Sequence, residues 1–174
     1  MESNQPSLKE LFFWDLEREL TVTRAVLERL PEEKYAWKPH EKSMSLGRLA
    51  MHVAYLPEWA RATIAADEMD AAAAPRPPLD PEDRADLLAR FDQNVAALRQ
   101  AVGRFDAAEI GTNWTMRNGS CVLTSKPHAT VYRIWCINHL VHHRGQLCLY
   151  LRLLDIPVPT VYFNTADDPT WVFE

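Results

Sequence analysis

His139 and His143 stand four residues apart within Val131 to Leu154, VYRIWCINHLVHHRGQLCLYLRLL, an apolar run with no proline and a single glycine, Gly145. That length and composition predict a helix. At 3.6 residues per turn, Cys136, His139, His143, Leu147, Tyr150 and Leu154 fall on one stripe of the kind that faces a core. Two imidazoles one turn apart on that stripe can grip a single cation, and a bound cation lowers the pKa of the water or thiol it coordinates. A pair needs at least a third ligand, so the rest of the chain is read for one.

Four further histidines are available: His40, His52, His128 and His142. His52 is the natural partner, because it alone is both helical and on a core-facing stripe outside the last helix. His40 lies in a polar connector, His128 in the first turn of its helix where exposure is expected, and His142 points about 100° away from His143. A set of His52, His139 and His143 gives three neutral nitrogen ligands and an open position, the arrangement of catalytic rather than structural zinc. All-imidazole ligation suits nickel as well as zinc, and also Fe, Co, Mn or Cu. A single histidine on an apolar face is usually a hydrogen-bonded core residue. Three on two facing helices favour ligands. A zinc-protease helix reads H-E-x-x-H, and here Leu140 follows His139, which removes the general base of that chemistry. Arg144 and Gln146 flank the ligand turn and are candidates for orienting a substrate or for tying helix ends. Tyr55, Trp59 and Trp135 are candidate pocket residues, though aromatics at helical spacing are more often core. Asp15 and Glu58 read as solvent-side charges.

The elements that must position these residues follow from periodicity. Ser7, with Glu10 at the capping-box position, opens a helix marked by Leu8, Phe12, Leu16, Leu20, Thr23, Leu27 and Leu30 and stopped at Pro31. A polar connector, PEEKYAWKPHEKSM, precedes a second helix beginning at Ser43 or Ser45 and extending to Met69, with Leu49, His52, Leu56 and Trp59 on one face; Pro57 should kink it or end its regular part. Residues 71–79 form a proline-rich loop. Asp80 caps a third helix with Pro81 at its first position, carrying Leu88, Phe91, Val95, Leu98, Val102 and Phe105. Asn118-Gly119, between two short alternating runs over Ile110 to Thr124, marks a small hairpin. Ser125-Lys126-Pro127 opens the fourth helix, Asp155-Ile156-Pro157 closes it, and an aromatic tail should pack back over the domain. The expected fold is all-α: a four-helix bundle in one domain, 1–174, with a hairpin between helices three and four.

Composition limits the function classes. The chain of 174 residues carries a net charge of −5 and has no basic stripe of the kind nucleic acid requires. Three widely spaced cysteines, two of them in the apolar helix, read as free thiols in a reducing compartment. With no signal-peptide pattern and no membrane-length apolar window, the expected location is cytoplasmic.

His52 in the second helix, the run His139-Leu-Val-His-His143-Arg-Gly-Gln146, and Tyr150-Leu-Arg-Leu-Leu-Asp-Ile-Pro-Val-Pro159 together resemble the DinB-like family of bacterial four-helix-bundle proteins. The resemblance covers nearly the whole chain in helix order. It implies a metal held by His52, His139 and His143, with water or substrate in the remaining positions, and a homodimer; the family's DNA-damage name implies no DNA chemistry. Some relatives are thiol S-transferases using a low-molecular-weight thiol such as bacillithiol, or mycothiol-dependent isomerases. Some also carry Glu inside the H-x3-H run, where this chain has Leu140 and Val141. The leading expectation is therefore a metal-activated thiol added to an electrophile, with a metal-dependent hydrolase or a non-catalytic metal-binding, dimerising module as alternatives.

Overall fold

Ser7 accepts a hydrogen bond from the amide of Glu10, whose carboxylate reaches back to the amide of Ser7, closing the capping box read from the sequence. In a computed structural model of the chain, which describes residues 5–74 and 78–169, this box opens only a short helix, α1 (Leu8–Phe12). The long first helix expected from periodicity is broken. Phe13 ends the turn, and α2 (Leu16–Glu28) restarts behind Asp15, whose side chain makes no cap. The break has a packing cause. Phe12 and Phe13 are neighbours in sequence and would diverge by about 100° on one helix, yet both lie against Tyr132, at ring-centroid distances of 4.8 and 5.1 Å, and both approach Phe105. Asp15 is buried rather than solvent-side, paired with Arg133 at 2.7 Å.

Helix α3 (Leu46–Ala65) starts at Ser45, whose hydroxyl accepts from the amide of Arg48. It runs through Pro57 without ending. Proline loosens the turn before it, and there Asn94 donates to the Ala54 carbonyl at 2.9 Å. Gly47 is required by a close approach: a Cβ would stand 3.0 Å from that of Tyr35 and 3.2 Å from the Asp80 carboxylate. Asp80 is thereby used at the start of α3 and does not cap the third long helix; α4 (Arg84–Arg104) is capped by Asp83, which accepts from the amide of Asp86.

The expectation of an all-α four-helix bundle is overturned by a three-stranded mixed sheet. Strands β2 (Asn113–Asn118) and β3 (Cys121–Pro127) form the expected hairpin, with Gly119 at φ 60° in its two-residue loop. A third strand, β1 (Glu68–Asp70), pairs parallel to β2 in the order β1-β2-β3. These residues were expected to continue the second helix. They leave it because β2 offers partners: Thr115 donates to the Asp67 carbonyl at 2.8 Å, Gly119 donates to the Asp70 carboxylate at 3.0 Å, and Arg117 pairs with Glu68.

β3 runs to Pro127, and the final helical stretch follows as α5 (His128–Val131), a π-helical turn (Tyr132–Ile137) and α6 (Asn138–Leu153). His128, expected exposed, is fully buried beside Phe105. The chain leaves α6 through Asp155 at φ 57°. Residues from α2, α3, α4 and α6, with Phe105, Tyr132 and Val158, build one hydrophobic core. The tail packs back as far as it is described. The expected proline-rich loop and the tail's last residues lie partly outside the described residues. No described helix is long and apolar enough to cross a membrane.

Candidate metal centre

α3 and α6 face one another, so their inward histidines meet. His52, His139 and His143 bring one potential ligand atom each to within 4.8 Å of the others. Ring centroids are 5.0 Å apart for His52 and His139, 4.6 Å for His52 and His143, and 4.7 Å for His139 and His143. The Nε2 atoms of His52 and His139 are 3.2 Å apart. Two ligands of one ion at bond lengths of about 2.1 Å span such a distance at close to a tetrahedral angle. The donor set therefore fits a divalent transition metal.

The far side of two rings is fixed as well. His139 Nδ1 lies 3.3 Å from the backbone carbonyl of Trp135. A carbonyl only accepts, so Nδ1 carries the proton and Nε2 keeps its lone pair. His143 Nδ1 lies 2.7 Å from Oε1 of Gln146, giving the same tautomer. Outer partners of this kind orient ligating histidines. Gln146, expected at the substrate pocket, thus acts on His143 instead. Gln146→Ala is expected to weaken zinc binding by about 10- to 100-fold, measured by competition with a chromophoric chelator; undiminished affinity would show that the contact does not orient the ring.

Burial lowers His52 to about 4, with repulsion from His143, His139 and Arg48 adding to it. Burial likewise lowers His139 and His143. All three favour the neutral, ligand-competent form. The unfolded chain takes up protons that the native site refuses, so stability of metal-free protein is full above the ordinary value of 6.5 and is lost as pH falls toward about 4. Thermal melts across that window should show the decline, and His52→Gln should flatten it; an identical slope in the variant would sink the assignment.

The other expected site residues divide. Trp59 and Trp135 line an open pocket of about 560 Å³ together with Met116, Ile134, Asn138, His139 and His142. Tyr55 is partly buried and outside that lining. Arg144 lies outside that lining: its guanidinium is buried against Glu19 at 2.6 Å and donates to the hydroxyl of Tyr162 at 2.6 Å. His142 does not join the cluster; it is exposed, its ring 4.8 Å from that of His143. Met116, Ile134 and Asn138 were missed. Ile134 and Asn138 share a helix face with His142, a signal present in the spacing, whereas Met116 needs the sheet to bring it there.

The sequence pattern of the DinB family matches residues 3–171. The chain belongs to the DinB family. Solved DinB-like proteins share the fold: one from Bacillus cereus has a TM-score of 0.67 at 20% identity, covering 88% of this chain and 97% of its own, and one from Bacillus subtilis has a TM-score of 0.69 at 15% identity, covering 87% and 96%. No curated protein matches the chain. Membership in the DinB family and the three-histidine cluster are together compatible with a metal-binding protein.

Proposed function

We propose that His52, His139 and His143 hold one divalent transition metal, zinc or nickel ahead of other ions, and that this DinB-family protein transfers a low-molecular-weight thiol to an electrophile. The observation that supports this most is the division of the imidazole nitrogens: Nδ1 of His139 and of His143 is engaged outside, leaving Nε2 for the shared centre. A divalent ion among three neutral ligands supplies net positive charge that favours the thiolate form of a bound thiol.

The protein's own groups then have limited tasks. The three rings stay neutral, those of His139 and His143 are held by their outer partners, and an apolar pocket opens beside His139. Among the described residues, no carboxylate joins the histidine cluster. Amide hydrolysis needs a proton delivered to its leaving group, whereas attack of a thiolate on an electrophile does not, and this favours transfer over hydrolysis. The test offers cysteine or glutathione with monobromobimane to metal-free, zinc-loaded and nickel-loaded protein. Loss of thiol above background only in a loaded form is expected. Equal rates with and without metal would overturn the proposal, as would metal-dependent hydrolysis of ester substrates without thiol consumption.

A further inference from the structure

The pocket that shares His139 with the metal centre has walls from four elements: Trp59 from α3, Met116 from β2, Ile134 and Trp135 from the π-helical turn, and Asn138 and His142 from α6. No Lys, Arg, Asp or Glu is among them. A carboxylate or phosphate placed there would meet no Lys or Arg to pair its charge, with Asn138 and the imidazoles as the only polar side chains on a mostly apolar wall. Two indoles and a methionine thioether in the lining are favourable neighbours for an aromatic ring. The volume, about 560 Å³, falls within the range of sites for small molecules. Ile134 is 51% exposed, which leaves apolar surface for an occupant to cover.

The sheet helps to make this pocket. Trp114 and Met116 lie on one face of β2, since alternate strand residues share a face; Trp114 is fully buried and Met116 continues outward to the pocket. Pairing with β3 slips between Met116 and Arg117, where Met116 opposes Thr124 and Arg117 opposes Val122, leaving Leu123 as the extra residue. Such a bulge raises local twist and re-aims side chains. The helical wall is also irregular, because Ile134 and Trp135 lie in the π-helical turn, a feature that recurs at functional sites.

We propose that this pocket holds the apolar, ring-sized body of the substrate, with Met116 as its outer wall and the reactive end directed past His139 to the metal centre. The direction of the reactive end rests on the thiol-transfer reading; occupancy by an apolar ring does not. This assigns the electrophile to an uncharged aromatic or compact hydrocarbon class.

Two probes separate these parts. Full-length protein, metal-free and zinc-loaded, is titrated by calorimetry with 2-methylnaphthalene, which has only the ring, and with naphthalene-2-thiol, which adds a metal-seeking end. Both should bind metal-free protein and quench tryptophan fluorescence. Ile134→Asp and Met116→Lys should each weaken 2-methylnaphthalene by at least about tenfold, because each places a charge in the apolar wall, while zinc stoichiometry is kept. Both residues lie away from the buried core, so the pair guards against misreading one misfolded variant. Zinc should tighten the thiol by about tenfold or more and leave 2-methylnaphthalene within about twofold. Ring binding that follows both variants but shows no zinc effect on the thiol would keep the pocket assignment and sink thiol activation. Absence of ring binding, or ring binding indifferent to both variants, would overturn the pocket assignment whatever the metal does. Sedimentation in which the variants dissolve a dimer while no probe binds would overturn it too, and would give this face to a second copy of the chain.

Discussion

Purified His139→Ala protein is expected to hold less than about a tenth of the transition metal carried by the wild type, because the loss leaves only two side-chain ligands for an ion that takes at least three from the protein. His139 is the most informative position. Its Nε2 is 3.2 Å from that of His52, and its Nδ1 is held toward the Trp135 carbonyl. Alanine removes both the ligand atom and the fixed ring that sets the spacing. His142→Ala is the matched control, since it removes an exposed imidazole that packs beside His143 but supplies none of the three candidate ligand atoms. The same difference should appear in stability. A metal present at 1,000 times its dissociation constant raises stability by about 4 kcal/mol, so zinc should lift the melting temperature of wild type and of His142→Ala, and leave His139→Ala unmoved. Metal retained at wild-type level in His139→Ala, with an undiminished zinc shift, would show that these histidines are not the ligands.

How far the site could be read from sequence depended on the range of the interactions involved. His139 and His143 were legible because a helix converts a spacing of four into a shared face, and His52 because its stripe was apolar. Ser7 with Glu10 was legible for the same local reason, as was a serine cap on the second helix, read as Ser43 or Ser45 and found at Ser45: a cap needs only the residues beside it. The break at Phe13 was not, because its cause is Tyr132 and Phe105, far along the chain. Nor was β1, three residues without alternation that become a strand only when β2 supplies an edge. That strand, with the hairpin, is why the all-α expectation failed, and it is also why Met116 was missed at the pocket. His128 looked exposed from its place in the first turn, yet Phe105 covers it. In each case the local pattern was sound and a distant partner decided the outcome.

Arg144 shows the same limit with the largest energetic consequence. Its neighbours in sequence suggest a substrate group, but its partners are Glu19, 125 residues away, with the Thr23 hydroxyl and Glu19 carbonyl each at 3.2 Å. Tyr162 from the tail completes the network, accepting from Arg144 and donating to Glu19 at 3.0 Å. The side chains of Arg144 and Glu19 are only 2% and 6% exposed. Removing one partner of such a pair leaves a buried charge without compensation, a loss of about 3–5 kcal/mol. Arg144→Met is therefore expected to lower the unfolding free energy in urea by that amount, and Glu19→Leu to do much the same. The double variant, Glu19→Leu with Arg144→Met, should recover most of the loss, because two apolar side chains of similar volume carry no desolvation cost. Tyr162→Phe should cost only about 1 kcal/mol, one hydrogen-bond bridge. If Arg144 instead served substrate, Arg144→Met would unfold within about 0.5 kcal/mol of wild type and lose activity alone. The placement next to His143 gives the network its bearing on the site: it pins α6 to α2 one residue from a candidate ligand, so the double variant tests whether the histidine cluster depends on that pin. Zinc affinity retained in the double variant would mean that the core alone positions α6, and zinc affinity lost despite recovered stability would mean that the buried charges set its register.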